Sequence, residues 1–157
     1  MNVLLSRIDD RFIHGQVVTR WVKAYPADRL IVVSDAVAAD ELRKSLLISV
    51  APSGMIASVV SVEKMINAWH SPRYAGVSAF LLFEKPGDVL RLIEWSFAIK
   101  SVNVGGMRFE NDREQITKSV SVTSDDVAAF HALHALGVGL ELRQLPSDAV
   151  DFISKLK

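Results

Sequence analysis

A chain of 157 residues, half of them hydrophobic, is about the length of one domain and can bury a sizeable core without disulfides or metals. Eighteen basic residues balance eighteen acidic ones, which excludes a general electrostatic pull toward nucleic acid or an anionic membrane, so any anion site must be local. Cysteine is absent, and with it go disulfide scaffolds, thiol nucleophiles and cysteine metal sites.

Met1 to Ser6 runs into Arg7 and two aspartates too soon for a secretory signal. No apolar run approaches the ~20 residues that span a bilayer, so the expectation is a soluble, cytoplasmic, single domain over residues 1–157. Val3-Leu4-Leu5 reads as a short buried strand, and the charged stretch from Ser6 to Gln16 follows it directly. From Gly15, the residues Val17, Val18, Trp21, Val22 and Tyr25 recur at helical spacing until Pro26, which predicts a helix over 15–25.

The run Leu30 to Val33 predicts a second strand covered on both faces, and Ala36 to Val50 a helix closed by Pro52-Ser53-Gly54. Met55 to Val60 predicts the third strand and Val62 to Trp69 the next helix. Ser78 to Phe83 is a strong buried strand, and Pro86-Gly87-Asp88 leads into a helix whose apolar side includes Val89, Leu92, Ile93 and Phe97. Residues 99–104 give a fifth strand, ending in Gly105-Gly106, where glycine permits a tight turn or a close backbone approach.

Residues 108–122 read as a loop with a short edge strand or hairpin. Thr123 caps a helix that runs to Leu136 with acidic residues in its first turn. Val138 to Arg143 alternates as a final strand, and Ser147 to Leu156 is predicted as a terminal helix. The strand–helix alternation predicts a three-layer α/β/α fold around a mainly parallel central sheet of about six or seven strands, with an antiparallel edge hairpin. Loops at the strand C-termini then share one rim, which would gather residues 7–14, Ser34, Asp35, Phe83, Gly105 and Gly106.

Within eight residues the opening loop sets Arg7, Asp9, Asp10, Arg11 and His14 at a strand-to-helix turn. A helix N-terminus carries unpartnered backbone N–H groups and a positive dipole end, which welcomes an anion and favours neutral imidazole. Phosphoryl transfer to imidazole needs an unprotonated nitrogen, cationic donors for the phosphoryl oxygens and a fixed ring. Arg7 and Arg11 can present donor forks to phosphate, while Asp9 or Asp10 can orient an arginine or accept the other imidazole N–H; the residue types leave open which does which. A bland alternative makes the four charges a structural salt-bridge cluster and His14 a helix cap.

The stretch Arg7-Ile8-Asp9-Asp10-Arg11-Phe12-Ile13-His14-Gly15-Gln16-Val17 resembles the active-site signature of the enzyme IIB components of the sugar phosphotransferase system, mannose/fructose/sorbose family. Ile31 to Asp35, Leu82-Phe83 and Ser101 to Met107 fall where that family has similar segments, so the resemblance spans essentially the whole chain. It implies that His14 is a transient phosphoryl carrier, modified at Nδ1. His14 would take phosphate from a phosphohistidine on enzyme IIA and pass it to a sugar held by the membrane permease components IIC and IID. It implies phosphate-binding roles for Arg7 and Arg11, with Asp10 in the catalytic set. Asp9, Gly15, Gln16, Ser34, Asp35, Phe83, Gly105 and Gly106 would line the site. Phe12 stands where leucine is commoner. Family members are often dimeric or fused to enzyme IIA, so the resemblance admits a homodimer.

No metal and no cofactor are expected. His131 and His134 share a helix face but lack further ligands at recognised spacing, and Gly105-Gly106 lacks the spacing of a nucleotide-binding loop. A competing class is a non-catalytic regulatory or interaction module that keeps the fold, against which the intact His14 argues.

Overall fold

The computed structural model describes the chain apart from Gln16, Ser96, Asn111, Gln144, Asp148, Ala149, residues 153–155 and Lys157. The strands are β1 (Asn2–Asp9), β2 (Arg29–Val33), β3 (Ile56–Val60), β4 (Ser78–Phe83), β5 (Ser101–Gly106), β6 (Glu114–Gln115), β7 (Ser121–Val122), β8 (Gly139–Leu142) and β9 (Val150–Asp151). The α-helices are α1 (Val22–Ala24), α2 (Asp35–Ala38), α3 (Glu41–Ser49), α4 (Val62–His70), α5 (Pro86–Glu94) and α6 (Ser124–Ala135). The central sheet runs β3-β2-β4-β1-β5-β8-β9, parallel throughout except for the antiparallel β9, while β6 and β7 form a separate antiparallel pair.

Strand periodicity divides the core in two. In β2, Leu30 and Val32 face one layer and Ile31 and Val33 the other; in β4, Phe80 and Leu82 part from Ala79, Leu81 and Phe83 in the same way. The first layer receives Val17, Trp21 and Val37, and the second Met65, Leu92 and Phe130. Connections that move left along the sheet, from β1 and β2, therefore put their helices on one face. Those that return rightward, from β3, β4 and β5, put theirs on the other, as right-handed crossovers require. β1 lies beside β5, and the connection from β1 leaves leftward while that from β5 leaves rightward, so the loop after β1 opens at a topological switch point.

Several elements differ from the sequence prediction. β1 runs on past Val3-Leu4-Leu5 to Asp9 and leaves Leu4 exposed, and β5 runs on through Gly105 and Gly106, so Arg7, Asp9 and both glycines are strand residues rather than loop residues. The helix over 15–25 is a π-helical turn, Val17–Trp21, continued by α1. The helix over 36–50 is broken into α2 and α3, because Asp40 turns extended and its carboxylate caps the Arg43 N–H at 3.1 Å. α5 stops at Glu94, so Phe97 reaches the core from a loop and stacks on Trp69 at 4.0 Å. The terminal helix from Ser147 to Leu156 is contradicted where the structure describes it: Val150–Asp151 pair with Leu142 and Glu141 as β9, and the rest of that segment falls largely outside the described residues. The open edge of β8 offers backbone partners to Val150 and Asp151, which are weak helix formers, and Phe152 packs edge-on against Phe130 at 4.8 Å. The hairpin read in 108–122 is present as β6–β7, and Thr123 forms a full capping box with Asp126. Among the described residues, no helix is long and apolar enough to cross a membrane.

Candidate functional site

The site is built on the last residues of β1. Asp9 ends the strand, and Phe12 N–H returns to the Asp9 carbonyl at 2.9 Å, closing a tight turn. Phe12 occupies the left-handed region, φ 56°, which a bulky side chain adopts only when its surroundings hold it there. Those surroundings are visible: its ring is buried in the first core layer, with the Arg43 guanidinium of α3 5.6 Å from the ring centre. This reversal folds His14 back onto Asp9.

Asp9 is the hub. Its carboxylate is fully buried, and its Oδ2 lies 2.9 Å from His14 Nε2 and accepts from Arg7 Nη2 at 3.2 Å. Its Oδ1 accepts the Arg11 backbone N–H at 3.2 Å and lies 3.6 Å from Arg11 Nε. Burial alone pushes the Asp9 carboxyl up; the His14 hydrogen bond, the Arg7 charge and the Arg11 N–H outweigh it and hold the group below its ordinary value. An ionised carboxylate only accepts, so His14 Nε2 carries a proton toward Oδ2, and in the neutral ring the lone pair is at Nδ1. His14 retains 17% side-chain exposure, enough for a reacting group to reach it.

Arg7 is 1% exposed and sits behind Asp9 rather than at the surface. Its guanidinium donates to the Asn103 side chain and, at 2.7 Å, to the Arg143 carbonyl, and it lies 4.5 Å from the Trp21 ring centre. Burial lowers the Arg7 pKa, with Asp9 opposing that shift. Arg11 contrasts with it: its side chain is 56% exposed, leaving the fork available to an incoming anion.

The two neighbouring aspartates have separate work. Asp10 is buried and faces the loop after β5, accepting the Arg108 N–H at 2.7 Å and pairing with Arg108 Nε at 3.5 Å and Arg113 Nη1 at 3.6 Å. Its own N–H donates to the Gly106 carbonyl at 3.0 Å. The paired glycines are small for identifiable reasons. A Cβ on Gly105 would overlap the Arg7 guanidinium, and one on Gly106 would meet Asp9 Oδ1 at 3.3 Å.

A model of the family described as "PTS system sorbose subfamily IIB component" matches residues 3–156. The chain belongs to that family. It is 65% identical over 158 residues to the fructose-specific EIIB component of Bacillus subtilis (strain 168), covering 100% of this chain and 97% of that protein. It is 51% identical to the mannose-specific EIIAB component of Escherichia coli (strain K12), covering 99% of this chain and 50% of that longer protein. The solved IIBSor domain of the sorbose permease from Klebsiella pneumoniae superposes with a TM-score of 0.96 at 44% identity, covering 99% of this chain and 96% of that one. This is therefore a IIB component of a phosphotransferase system, acting in sugar uptake.

In this IIB chain the structure brings together Arg7, Asp9, Arg11 and His14, with Asp10, Gly105 and Gly106 directly behind or beside them. Gly15 is the first helical residue after His14 and exposed, whereas Gln16 lies outside the described residues. The remaining rim residues have other partners. Phe83 is wholly buried in the second core layer and does not line the rim. Ser34 caps α2 and reaches Glu84 Oε2 at 3.4 Å. Asp35 accepts the Val62 N–H at 2.9 Å and an Arg91 donor at 2.8 Å, which holds its carboxyl below the ordinary value.

Sequence reasoning missed Trp21, Asn103 and Arg143 as the cradle of Arg7, and Arg108 and Arg113 as the partners of Asp10. Trp21 carried a readable signal, being a large apolar residue within a helical stripe. The others depended on which strand lies beside β1.

Proposed function

We propose that His14 is the phosphoryl acceptor of this IIB component, taking the group at Nδ1 from a phosphohistidine of enzyme IIA. The group then passes to a sugar held by the IIC and IID components of the permease, with the transfer taking place on the cytoplasmic side. The observation that carries this reading is the 2.9 Å bond from His14 Nε2 to the buried Asp9 carboxylate, which fixes the ring and leaves Nδ1 as the nucleophile.

In the transfer, the Nδ1 lone pair attacks phosphorus in line with the donor imidazole, the bond to that donor breaks, and the phosphohistidine forms on His14. Little covalent work falls to the protein, so positioning and charge stabilisation dominate. Asp9 offsets the positive charge the ring acquires. Arg11, exposed and adjacent, supplies donors to the equatorial phosphoryl oxygens, and the backbone at Gly15 adds a helix N-terminus. Arg7 acts through Asp9, as a buried positioning residue, and does not itself touch phosphate.

Incubation with phosphorylated enzyme IIA should label wild-type protein at His14 and leave His14→Gln unlabelled. A wild-type protein that stays unlabelled, or label that persists in the variant, would overturn the assignment.

A further inference from the structure

A groove of about 360 Å3 runs between the opening loop and the β6–β7 hairpin, a volume within the usual range of small-ligand sites. It adjoins the His14 site through two shared residues, Arg11 and Gly106, each against Asp9. Arg11, Arg108 and Lys118 contribute three cationic side chains to its walls. Asp10 is the acidic residue among the lining ones, and it is already engaged by Arg108 and Arg113. In a chain whose charges sum to zero, this is a local excess of positive charge at a concave surface.

The remaining lining has a second character. Gln115 and Ser119 supply amide and hydroxyl groups, and the exposed Phe109 is also among the lining residues. Cations suit a phosphate dianion, polar side chains suit sugar hydroxyls, and an aromatic face suits the C–H face of a pyranose or furanose ring. Arg108 and Arg11 are both more than half exposed and only loosely paired, at 3.5 Å and 3.6 Å, so either fork can turn to a ligand while the backbone N–H of the same residue keeps its bond to the buried aspartate.

We propose that this groove is a binding site for a small phosphate-bearing anion, held by its phosphate dianion between Arg11, Arg108 and Lys118. The inference rests on the phosphocarrier reading only in naming a sugar phosphate, the product of the transfer, as one source of the ligand; free phosphate is the other. Arg108 and Lys118 then act as anion-binding residues outside the Asp9–His14 pair.

The test is an NMR titration of the full, unphosphorylated chain with a hexose 6-phosphate, with inorganic phosphate and with the free hexose. Both anions should shift the amides of residues 106–109 and 115–121, and the free hexose should not. Tighter binding of the hexose phosphate assigns the source to sugar phosphate, and equal binding assigns it to free phosphate; either upholds the anion site. Arg108→Gln with Lys118→Gln should weaken binding at least tenfold, and keeps the Arg108 backbone N–H that braces Asp10. Lys118→Gln alone, on an exposed turn, should weaken it severalfold without touching that brace. His14→Gln should bind as wild type does, so the groove and the phosphohistidine stand or fall separately. Absent shifts, shifts elsewhere on the surface, or affinity unchanged by the double substitution would overturn the proposal.

Discussion

Gly105→Ala is the sharpest perturbation the site allows, because one methyl group is asked to occupy space that the Arg7 guanidinium fills. The strand backbone at Gly105 is fixed by its place in β5 beside β1, so the side chain must yield. Arg7 then leaves Asn103, the Arg143 carbonyl, the Trp21 face and Asp9 together. Breaking a buried ion pair by displacing one partner costs about 3–5 kcal/mol, since the other charge stays buried. For a domain stable by about 5–15 kcal/mol that is a large share. With a urea m-value of about 2 kcal/mol/M, the midpoint should fall by roughly 1.5–2.5 M. Gly106→Ala is the internal control: its methyl meets Asp9 at 3.3 Å, a contact that a few tenths of an ångström relieve, and the loss should stay near 1 kcal/mol or below. Urea unfolding of both variants decides it. Equal midpoints, or a Gly105→Ala loss under about 1 kcal/mol, would refute the claim that Arg7 is clamped against this glycine.

Arg11→Ala should separate rate from stability: the side chain is exposed, so unfolding should change by no more than about 0.5 kcal/mol. Phosphoryl transfer from enzyme IIA should nevertheless slow by about 10²-fold, measured by single-turnover labelling. The Asp9 carboxyl, followed by carbon NMR, should titrate below the ordinary 3.8. A depressed acid contributes stability that is fully present above its unfolded value and is lost as pH falls through the folded one. Urea stability should therefore hold its Asp9 share from neutral pH down to about 4 and shed it below that. A carboxyl titrating above its ordinary value would contradict the bonding described for Asp9.

Much of the fold is legible in the sequence because its signals are local. The apolar runs at Leu30 to Val33 and Ser78 to Phe83 are buried on both faces, as β-rich parallel strands require, and Thr123 with Asp126 announces a capped helix three residues apart. The β9 strand was not legible, since two residues, Val150–Asp151, carry no alternation of their own and pair only because β8 presents an open edge. The same division runs through the site. The charges around His14 mark a candidate anion-binding loop, but Asp9 and Asp10 are adjacent and chemically identical, and nothing local tells them apart. Strand pleating turns one toward Arg7 and His14 and the other toward the loop after β5.

By itself, then, the sequence determined the α/β alternation, the position of the charged loop and the one imidazole within it, because periodicity, capping and residue chemistry act within a few residues of one another. Tertiary structure decided that Arg7 is a buried strut and Arg11 the exposed fork, that Gly105 is small to admit a guanidinium, and that Phe83 belongs to the core. Those outcomes depend on which strands lie side by side. That order places Asn103 and Gly105 of β5 against Arg7 of β1 across nearly a hundred residues of chain, and no local pattern encodes such a neighbour.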